Sequence, residues 1–369
     1  MKFCIAISAL FLLLNCQNNK GKTIEKNDSY SFFVGTYTNA ESQGIYKYVL
    51  QKDGVLKRLG LVAKLTNPSF LTMSTDNKFL LAVSEIENTG TVESFLVTGD
   101  SLKFISRSSS GGAHPCFVTM NDTGFVLTAN YTSGNVGLLK LNKKGELSDL
   151  LDIQQHTGKG TTERQQEPHA HSTWFEPGGN TIISVDLGTN ELWFSHLDSQ
   201  AQKLLPSNPY KLKMSEGAGP RHLTFHPNGK WIYIVNELNS TVVLVQKSDN
   251  GKYKKGIPIT TLPTGYTDTN NCADIHISSD GKFVYASNRG HNSIAIYSVD
   301  AGDGSLTLIG HQTTLGKGPR NFSLSPNDNY LLVANQHTNN IVSFKRDKIT
   351  GLLRYMNQIE APTPVCIVF

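Results

Sequence analysis

The chain has 369 residues, of which 38% are hydrophobic and 17% are charged, and it contains 32 glycines, 14 prolines and 13 tyrosines. This composition is typical of a globular protein that is rich in strands and turns. The formal net charge is only +4 and the basic residues form no long run, so nucleic acid is excluded as an expected partner.

The N-terminal segment has the pattern of an export signal. Met1-Lys2 precedes a mainly apolar run, 3–14, that is too short to span a bilayer as a helix. The sequence Leu13-Leu14-Asn15-Cys16 resembles the lipobox of bacterial lipoproteins, in which the cysteine is acylated after cleavage, although Asn15 replaces the usual small residue. A plain secretory signal that is cleaved nearby is the alternative. The sequence thus predicts three parts, namely a lipoprotein-type signal peptide (1–16), a flexible tether rich in Asn and Lys (17–29) and one folded domain (30–369).

The cysteines do not suggest a disulfide framework. If Cys4 is removed with the signal and Cys16 is lipidated, an odd number of cysteines remains. These three, Cys116, Cys272 and Cys366, lie in or beside apolar strands. They are therefore predicted to be buried free thiols.

One hairpin pattern recurs along the chain. In its clearest copy, 219–237, an alternating run leads to the turn Pro227-Asn228-Gly229, and a second run ends at Asn236-Glu237. The residue that opens the second strand recurs about every 50 residues, at Phe79, Phe125, Thr181, Trp231, Phe283 and Tyr330. A period near 50 residues with about four strands per unit is typical of a β-propeller.

The two ends of the domain supply a seventh unit. Residues 363–369 look like the start of another unit, as at 67–71, whereas residues 31–37 begin with a second-strand pattern. The predicted fold is therefore all-β, a seven-bladed β-propeller closed by the C-terminal strand joining the N-terminal blade. The segments 157–166 and 262–271 are expected to connect blades on a rim.

Antiparallel pairing brings the start of the first strand and the end of the second strand of each blade to the same edge of the sheet. In a propeller these edges form one mouth of the central channel. The polar residues in these positions are Glu85, His169, His171, Asp186, Arg221, His222, Glu237, Asp274, Arg289 and Arg320. Such convergence of different polar groups is typical of a functional site, and pore-lining ion pairs between blades are the alternative.

Several of these motifs resemble the seven-bladed propeller lactonases, a family that includes bacterial propeller-type 6-phosphogluconolactonases and fungal carboxy-muconate cyclases. The resemblance covers about residues 30 to 369. The most specific segments are Gly219-Pro220-Arg221-His222-Leu223-Thr224-Phe225-His226-Pro227, Val235-Asn236-Glu237-Leu238-Asn239-Ser240, Asp274-Ile275-His276-Ile277-Ser278 and Ser287-Asn288-Arg289. Weaker similarity lies in Pro168-His169-Ala170-His171, in Asp186 and in Gly318-Pro319-Arg320-Asn321.

The resemblance implies a lactonase. No cofactor and no metal are expected, because only His169 and His171 have any metal-ligand spacing. The cyclases use a histidine, a glutamate and two arginines, and by motif these are similar to Glu237, Arg221 and Arg289, with either His169 or His171 as the histidine. Alignment of the repeats places His171 level with Arg221 and favours it. Lactone hydrolysis needs a base for water, donors for an oxyanion and a cation for an anionic substrate group.

The roles expected from these requirements divide the residues into two groups. We expect His171 or Glu237 to activate water, and Arg221 and Arg289 to hold the oxyanion or an anionic substrate group. Residues expected to bind substrate or support the mouth are Glu85, His169, Asp186, His222, Asp274 and Arg320.

Three alternatives remain open at this stage. A metal-dependent lactonase would use His169 and His171 with Asp186 or Glu237. The others are a lactonising enzyme of the carboxy-muconate cyclase type and a non-catalytic binding propeller on the cell surface.

The expected partner is a small, anionic sugar lactone, and a monomer is expected because a closed ring leaves no free edge. The expected location is the bacterial cell envelope, with the lipid on Cys16 as the only membrane contact, and there a phosphorylated lactone of cytoplasmic metabolism would rarely be met. An aldonolactone or a uronic-acid lactone fits the arginines equally well.

Overall fold

The computed structural model describes residues 29–369, which form seven antiparallel sheets around a central channel. The expected signal peptide, almost all of the expected tether and Cys16 lie outside the described residues. Every residue aligned as the start of a second strand does begin that strand in the structure, so the repeat pattern is confirmed. Within the described range, no helix combines the length and the apolar character needed to cross a membrane.

The C-terminal strand closes the ring. Pro364–Val368 is the inner strand of blade 1 and pairs antiparallel with Tyr30–Thr36, Val34 lying opposite Ile367. The predicted closure is therefore confirmed. The other two strands of blade 1 are Gly44–Leu50 and Leu56–Lys64.

The other blades follow one another in chain order, and each is listed from its inner to its outer strand. Blades 2 to 4 comprise Leu71–Met73, Phe79–Ser84, Thr91–Thr98 and Ser101–Ser109; Pro115–Met120, Phe125–Asn130, Asn135–Lys140 and Asp152–Gln155; and Ala170–Phe175, Thr181–Asp186, Glu191–Asp198 and Lys203–Lys213. Blades 5 to 7 comprise Pro220–Phe225, Trp231–Asn236, Thr241–Lys247 and Tyr253–Lys255 with the extra piece Ile259–Thr260; Cys272–Ile277, Phe283–Asn288, Ser293–Val299 and Leu306–Thr313; and Pro319–Leu324, Tyr330–Asn335, Asn340–Arg346 and Leu353–Glu360.

The core is divided into seven apolar clusters, and each lies between two neighbouring blades. The cluster between blades 7 and 1, for example, contains Phe32, Tyr48 and Leu332, all fully buried. Burying one large apolar side chain stabilises the fold by roughly 1.5–3 kcal/mol. A single sheet would expose one apolar face, so the closed ring is needed to cover every blade on both sides.

The three cysteines in the described residues are buried and form no disulfide, as the sequence predicts. The connection between blades 3 and 4 contains one short 3₁₀ helix, Glu163–Gln165. This helix brings a side chain to the channel mouth, whereas the sequence predicted only a connection on the rim.

Candidate active site

Local irregularities in the inner strands turn four side chains towards the channel. The pairing register shifts by one residue at Cys116, His171, Arg221 and Arg320, each of which is left without a cross-strand partner. Bulges of this kind reorient a side chain at the end of a strand. The alignment of these four positions in the sequence therefore corresponds to one repeated structural device.

Two of the bulges are preceded by a glycine that the backbone requires. Gly219 and Gly318 have φ angles of +60° and +69°, a region that favours glycine. A Cβ atom on Gly219 would lie 2.4 Å from Cγ of Leu238. The Gly-Pro-Arg motif thus combines a left-handed turn with the bulge that places the arginine.

A pocket of about 200 Å³ lies at this mouth of the channel. Its lining is almost entirely polar and comes from blades 2 to 7 and from the connection after blade 3. The lining residues are Glu85, Cys116, Tyr131, Arg164, His171, Glu237, Arg289 and Arg320. Five of the ten expected site residues, namely Glu85, His171, Glu237, Arg289 and Arg320, are therefore brought together.

Glu237 is a buried carboxylate held by three arginines. Its Oε2 atom lies 2.8 Å from Nη2 of Arg289 and 3.0 Å from Nε of Arg221, and its Oε1 atom accepts a 2.7 Å hydrogen bond from Nη1 of Arg164. The Arg221 contact is an ion pair by distance but lacks the alignment of a hydrogen bond. Burial alone would raise the pKa of Glu237, yet Arg289, Arg221 and Arg164 outweigh it and hold the pKa at about 2.

Arg221 lies beneath the pocket and does not line it. Its Nη1 atom donates to the carbonyl oxygen of Ala273, and its side chain is only 2% exposed. Burial, together with the charges of Arg289 and Arg320, lowers the pKa of Arg221 to about 10, so this guanidinium remains charged near neutral pH. Its contacts suit an anchor for Glu237 better than a direct substrate contact.

His171 is buried at the wall of the pocket, next to a thiol. Nδ1 of His171 lies 3.7 Å from Sγ of Cys116, and Sγ lies 3.4 Å from the carbonyl oxygen of His171. Since that carbonyl takes the thiol hydrogen, the sulfur is left as an acceptor for a proton on Nδ1. The Nε2 atom makes no hydrogen bond within residues 29–369. Burial lowers the pKa of His171 well below its ordinary value, and the nearby Arg221 lowers it further, so the ring is neutral near pH 7.

A chain of hydrogen bonds forms the opposite wall. Nη2 of Arg320 donates to the Tyr37 hydroxyl over 2.9 Å, and that hydroxyl donates to Oε2 of Glu85 over 2.9 Å. The Arg320 guanidinium also lies over the Tyr37 ring, 5.2 Å from its centroid. No other hydrogen bond of Arg320 is made to a side chain in residues 29–369, so its remaining N–H groups are available to a ligand.

His222 and Asp274 form a separate layer below the pocket. Nδ1 of His222 lies 2.8 Å from Oδ1 of Asp274, whose Oδ2 atom contacts His276 and accepts from Asn321. Both His222 and Asp274 are almost fully buried. Burial and Arg221 lower the pKa of His222 to about 4. The structure gives this pair a role in joining blades 5, 6 and 7.

Asp186 and His169 lie outside the pocket lining. Oδ2 of Asp186 pairs with Nδ1 of His156 over 2.7 Å, and Oδ1 accepts from the backbone N–H of His169. The His169 ring stacks on Tyr131 with 4.4 Å between ring centroids, and its Nδ1 atom lies 3.0 Å from the Tyr131 carbonyl oxygen. These two residues therefore shape the loop that carries Tyr131 into the pocket.

The sequence and the fold of this chain are similar to those of known proteins. A family model described as "Lactonase, 7-bladed beta-propeller" matches residues 31–369. The chain belongs to this lactonase family. Membership places it among the lactone hydrolases.

Relatives of this lactonase span its whole propeller. A Bacillus subtilis (strain 168) protein named 6-phosphogluconolactonase is 35% identical over 346 residues, which are 92% of this chain and 98% of the relative. A 6-phosphogluconolactonase from Formosa agariphila is 34% identical over 345 residues, covering 88% and 95% of the two chains. The solved structure of a periplasmic gluconolactonase from Pseudomonas aeruginosa has a TM-score of 0.88 at 28% identity and covers 92% of this chain and 99% of its own.

Four residues near the lactonase pocket were not selected from the sequence as site residues. Tyr131 follows an Asn at a strand exit, and Cys116 occupies a bulge position, so the repeat alignment already contained a signal for both. Tyr37 stands at the corresponding exit of blade 1. Arg164 carries no signal of this kind because it comes from a connection outside the repeat.

The metal alternative required His169 and His171 to act together. The structure separates the two rings, since His169 stacks on Tyr131 outside the pocket and His171 lies within the lining. Within the part of the lactonase that the structure describes, no group of three His, Cys, Asp or Glu side chains is placed to hold a metal ion.

Proposed function

We propose that this protein hydrolyses the lactone ring of a sugar-derived acid in the pocket at the channel mouth. The observation that carries the proposal is a buried, neutral imidazole whose Nε2 atom is free and which shares a small pocket with Arg289 and Arg320. A base and fixed cations are the two elements that lactone hydrolysis requires.

His171 acts as the general base. Its Nε2 atom removes a proton from water as the water oxygen attacks the lactone carbonyl carbon, and the carbonyl electrons move onto the oxygen. The resulting tetrahedral oxyanion collapses by breaking the ring C–O bond, and the leaving alkoxide takes the proton back from His171. The products are a free hydroxyl group and a carboxylic acid, and the acid loses its proton to solvent near neutral pH.

Arg320 and Arg289 stabilise the developing negative charge. Arg320 has uncommitted N–H groups, and Arg289 points Nη2 at Glu237 while staying partly exposed to the pocket. Charges fixed in a site that excludes water stabilise an oxyanion without the cost of reorganising solvent. Removing one donor of this kind typically costs about 10²–10³ in kcat.

Glu237 orients the arginines instead of activating water. A carboxylate with a pKa of about 2 that is already paired with three guanidinium groups is a weak base. Its negative charge keeps Arg164, Arg221 and Arg289 close together at the mouth. This role explains why a carboxylate and several arginines are needed in the same pocket.

The charge balance of the pocket favours an anionic substrate. Arginines outnumber carboxylates around it, and a guanidinium fork binds a carboxylate or phosphate in a bidentate manner. The relatives' names include both a phosphorylated and an unphosphorylated gluconolactone. We further propose that the protein is exported and lipid-anchored through Cys16, so that it acts on lactones outside the cytoplasm.

The test measures hydrolysis of gluconolactone, with and without a 6-phosphate, by the full-length protein, after subtraction of hydrolysis in buffer. We expect turnover that survives EDTA and is faster on the phosphorylated lactone. Loss of activity with EDTA would favour the metal-dependent alternative. If neither gluconolactone is hydrolysed, other sugar lactones are tested next, and hydrolysis of none of them would overturn the proposal and favour the binding propeller. Lactone formation from an unsaturated acid would favour the cyclase type.

Arg289→Ala locates the activity in this pocket. The variant should lose turnover and keep the fold, as judged by circular dichroism. Unchanged kinetics would remove Arg289 from the mechanism.

A further inference from the structure

A second, larger cavity lies between blades 1 and 2 on the same side of the propeller as the pocket. This groove has a volume of about 480 Å³. Ser84 and Ile86 line it, whereas Glu85 between them lines the catalytic pocket. Alternate side chains of an extended segment face opposite sides, so the two cavities share a wall that is one segment of chain thick.

The second strand of blade 1 ends at the same wall. Thr38 lines the groove, and the preceding residue, Tyr37, donates its hydroxyl hydrogen to Glu85 on the catalytic side. The backbone N–H and the hydroxyl of Thr38 both bond the Asn67 side chain, which fixes this end of the strand. The groove therefore begins where the catalytic pocket ends.

A buried carboxylate with an unused oxygen lines the groove. The Glu93 side chain is only 3% exposed, and its Oε1 atom lies 2.7 Å from both Nε and Nη2 of Arg107. Its Oε2 atom has no hydrogen-bond partner within residues 29–369. Burial raises the pKa of Glu93, although Arg107 acts in the opposite direction. This oxygen is not among the fully buried atoms without a partner, so it is accessible, and a ligand hydroxyl can donate a hydrogen bond to it.

The catalytic pocket and the groove differ in the size of ligand that they can hold. Ligand sites usually measure about 300–1,000 Å³. The catalytic pocket, at about 200 Å³, falls below this range, whereas the groove falls within it. A substrate that fills both cavities is therefore larger than one lactone ring.

We propose that the groove binds a glycosyl residue carried by the lactone, so that among lactones of equal charge the protein prefers those of disaccharide-derived aldonic acids. This inference rests on the proposed function and specifies the substrate class of the same site. A sugar hydroxyl donates to Oε2 of Glu93, and Lys64 and Arg107 donate to sugar oxygens. Leu65 and Ile86 contact the apolar face of the sugar ring. A phosphate suits the groove less well because the Glu93 carboxylate would repel it.

The experiment compares kcat/KM of the full-length protein for gluconolactone with that for the lactones of cellobionic and lactobionic acid. We expect a preference for at least one disaccharide lactone of about tenfold or more, expressed mainly in KM. Glu93→Gln preserves size and removes the charge, and it should reduce the ratio of the two kcat/KM values to about threefold or less.

Ile86→Trp provides a second variant that leaves the Glu93 and Arg107 pair intact. It fills the groove and should also reduce the ratio. Ile257→Trp is the matched control, since Ile257 is 92% exposed on blade 5, and it should preserve the ratio. A thermal melt of each variant establishes that it is folded.

The outcomes separate the two proposals. If gluconolactone is hydrolysed but the disaccharide lactones are not preferred, or if the preference survives both groove variants, the inference about the groove is wrong and the proposed function stands. If no lactone is hydrolysed faster than in buffer, the proposed function fails and the groove proposal fails with it.

Discussion

Nη1 of Arg164 lies 2.7 Å from Oε1 of Glu237, although 73 positions separate the two residues in the chain. Arg164 belongs to the 3₁₀ helix between blades 3 and 4, and its Nη2 atom also donates to the Tyr131 hydroxyl. The connection therefore covers the mouth and adds a cation to a pocket otherwise built by the repeat.

Arg164→Ala should raise KM by about tenfold and change kcat less. The Arg164 side chain lies near the solvent edge, so its charge-assisted hydrogen bond to substrate is expected to contribute to binding more than to transition-state stabilisation. Arg164→Lys should recover part of the loss. Arg354→Ala, at an exposed site on the outer strand of blade 7, is the control and should leave both constants unchanged. A KM unaffected by Arg164→Ala would mean that the connection does not contact substrate.

His171→Asn should lower kcat by about 10²–10⁴-fold, the usual contribution of a general base. His337→Asn, at an exposed histidine, serves as the control. Steady-state rates must be corrected for hydrolysis in buffer. A variant with more than half of the wild-type kcat would exclude His171 as the base.

The pH profile of the wild-type enzyme tests the same role independently. Burial and Arg221 lower the pKa of His171, so the base stays unprotonated to more acidic pH than an ordinary histidine. We expect kcat/KM to remain level as the pH falls through 6.5 and to decline only at lower pH. An acidic limb at or above 6.5 would contradict the assignment.

Cys116→Ala should lower kcat by about fivefold. The variant loses one weak hydrogen bond to Nδ1, so the His171 ring is no longer held in the tautomer that carries its proton on Nδ1. Cys116→Ser should restore part of the rate, and the acidic limb of the profile should move in the Ala variant. Cys366→Ala removes another buried thiol, outside the pocket lining, and controls for loss of stability alone. Equal effects of Cys116→Ala and Cys366→Ala on kcat would show that the thiol only packs.

Tyr37→Phe should lower kcat/KM by about tenfold. It removes the hydroxyl that joins Arg320 to Glu85 and keeps the ring beneath the guanidinium. Tyr355→Phe, on an exposed tyrosine of blade 7, is the matched control. If the two variants behave alike, Arg320 does not depend on this hydrogen bond for its position.

Acidification should destabilise the propeller. The pKa of His222 falls from 6.5 to about 4 on folding, so the unfolded chain binds the proton more readily between these values. Stability is then full above pH 6.5 and declines as the pH falls towards 4, by on the order of 3 kcal/mol from this group. Urea unfolding at several pH values measures the loss, and His222→Gln should flatten this part of the curve. A free energy of unfolding independent of pH over this range would contradict the expectation.

Much of the fold was predictable because the repeat is local. Each hairpin shows its turn and its alternating strands within about 20 residues, as at 219–237, and backbone hydrogen bonding then determines which ends meet. The same regularity aligned His171, Arg221 and Arg320 as equivalent positions at the start of the inner strands, and the structure shows that each of them lies at a bulge. The predicted pairing of the C-terminal strand with blade 1 followed from the incomplete units at the two ends.

Only the tertiary structure decided which of the predicted site residues line the pocket and which lie in the layers around it. Arg221, His222 and Asp274 occupy positions equivalent to pocket residues, yet they point into the layer below, and Asp186 pairs with His156. Arg164 reaches the pocket from outside the repeat. The physical reason is that repeat spacing determines only the edge of the sheet at which a residue lies. Its depth, its partners and its pKa depend on contacts between blades and on loops, which join residues far apart in the chain.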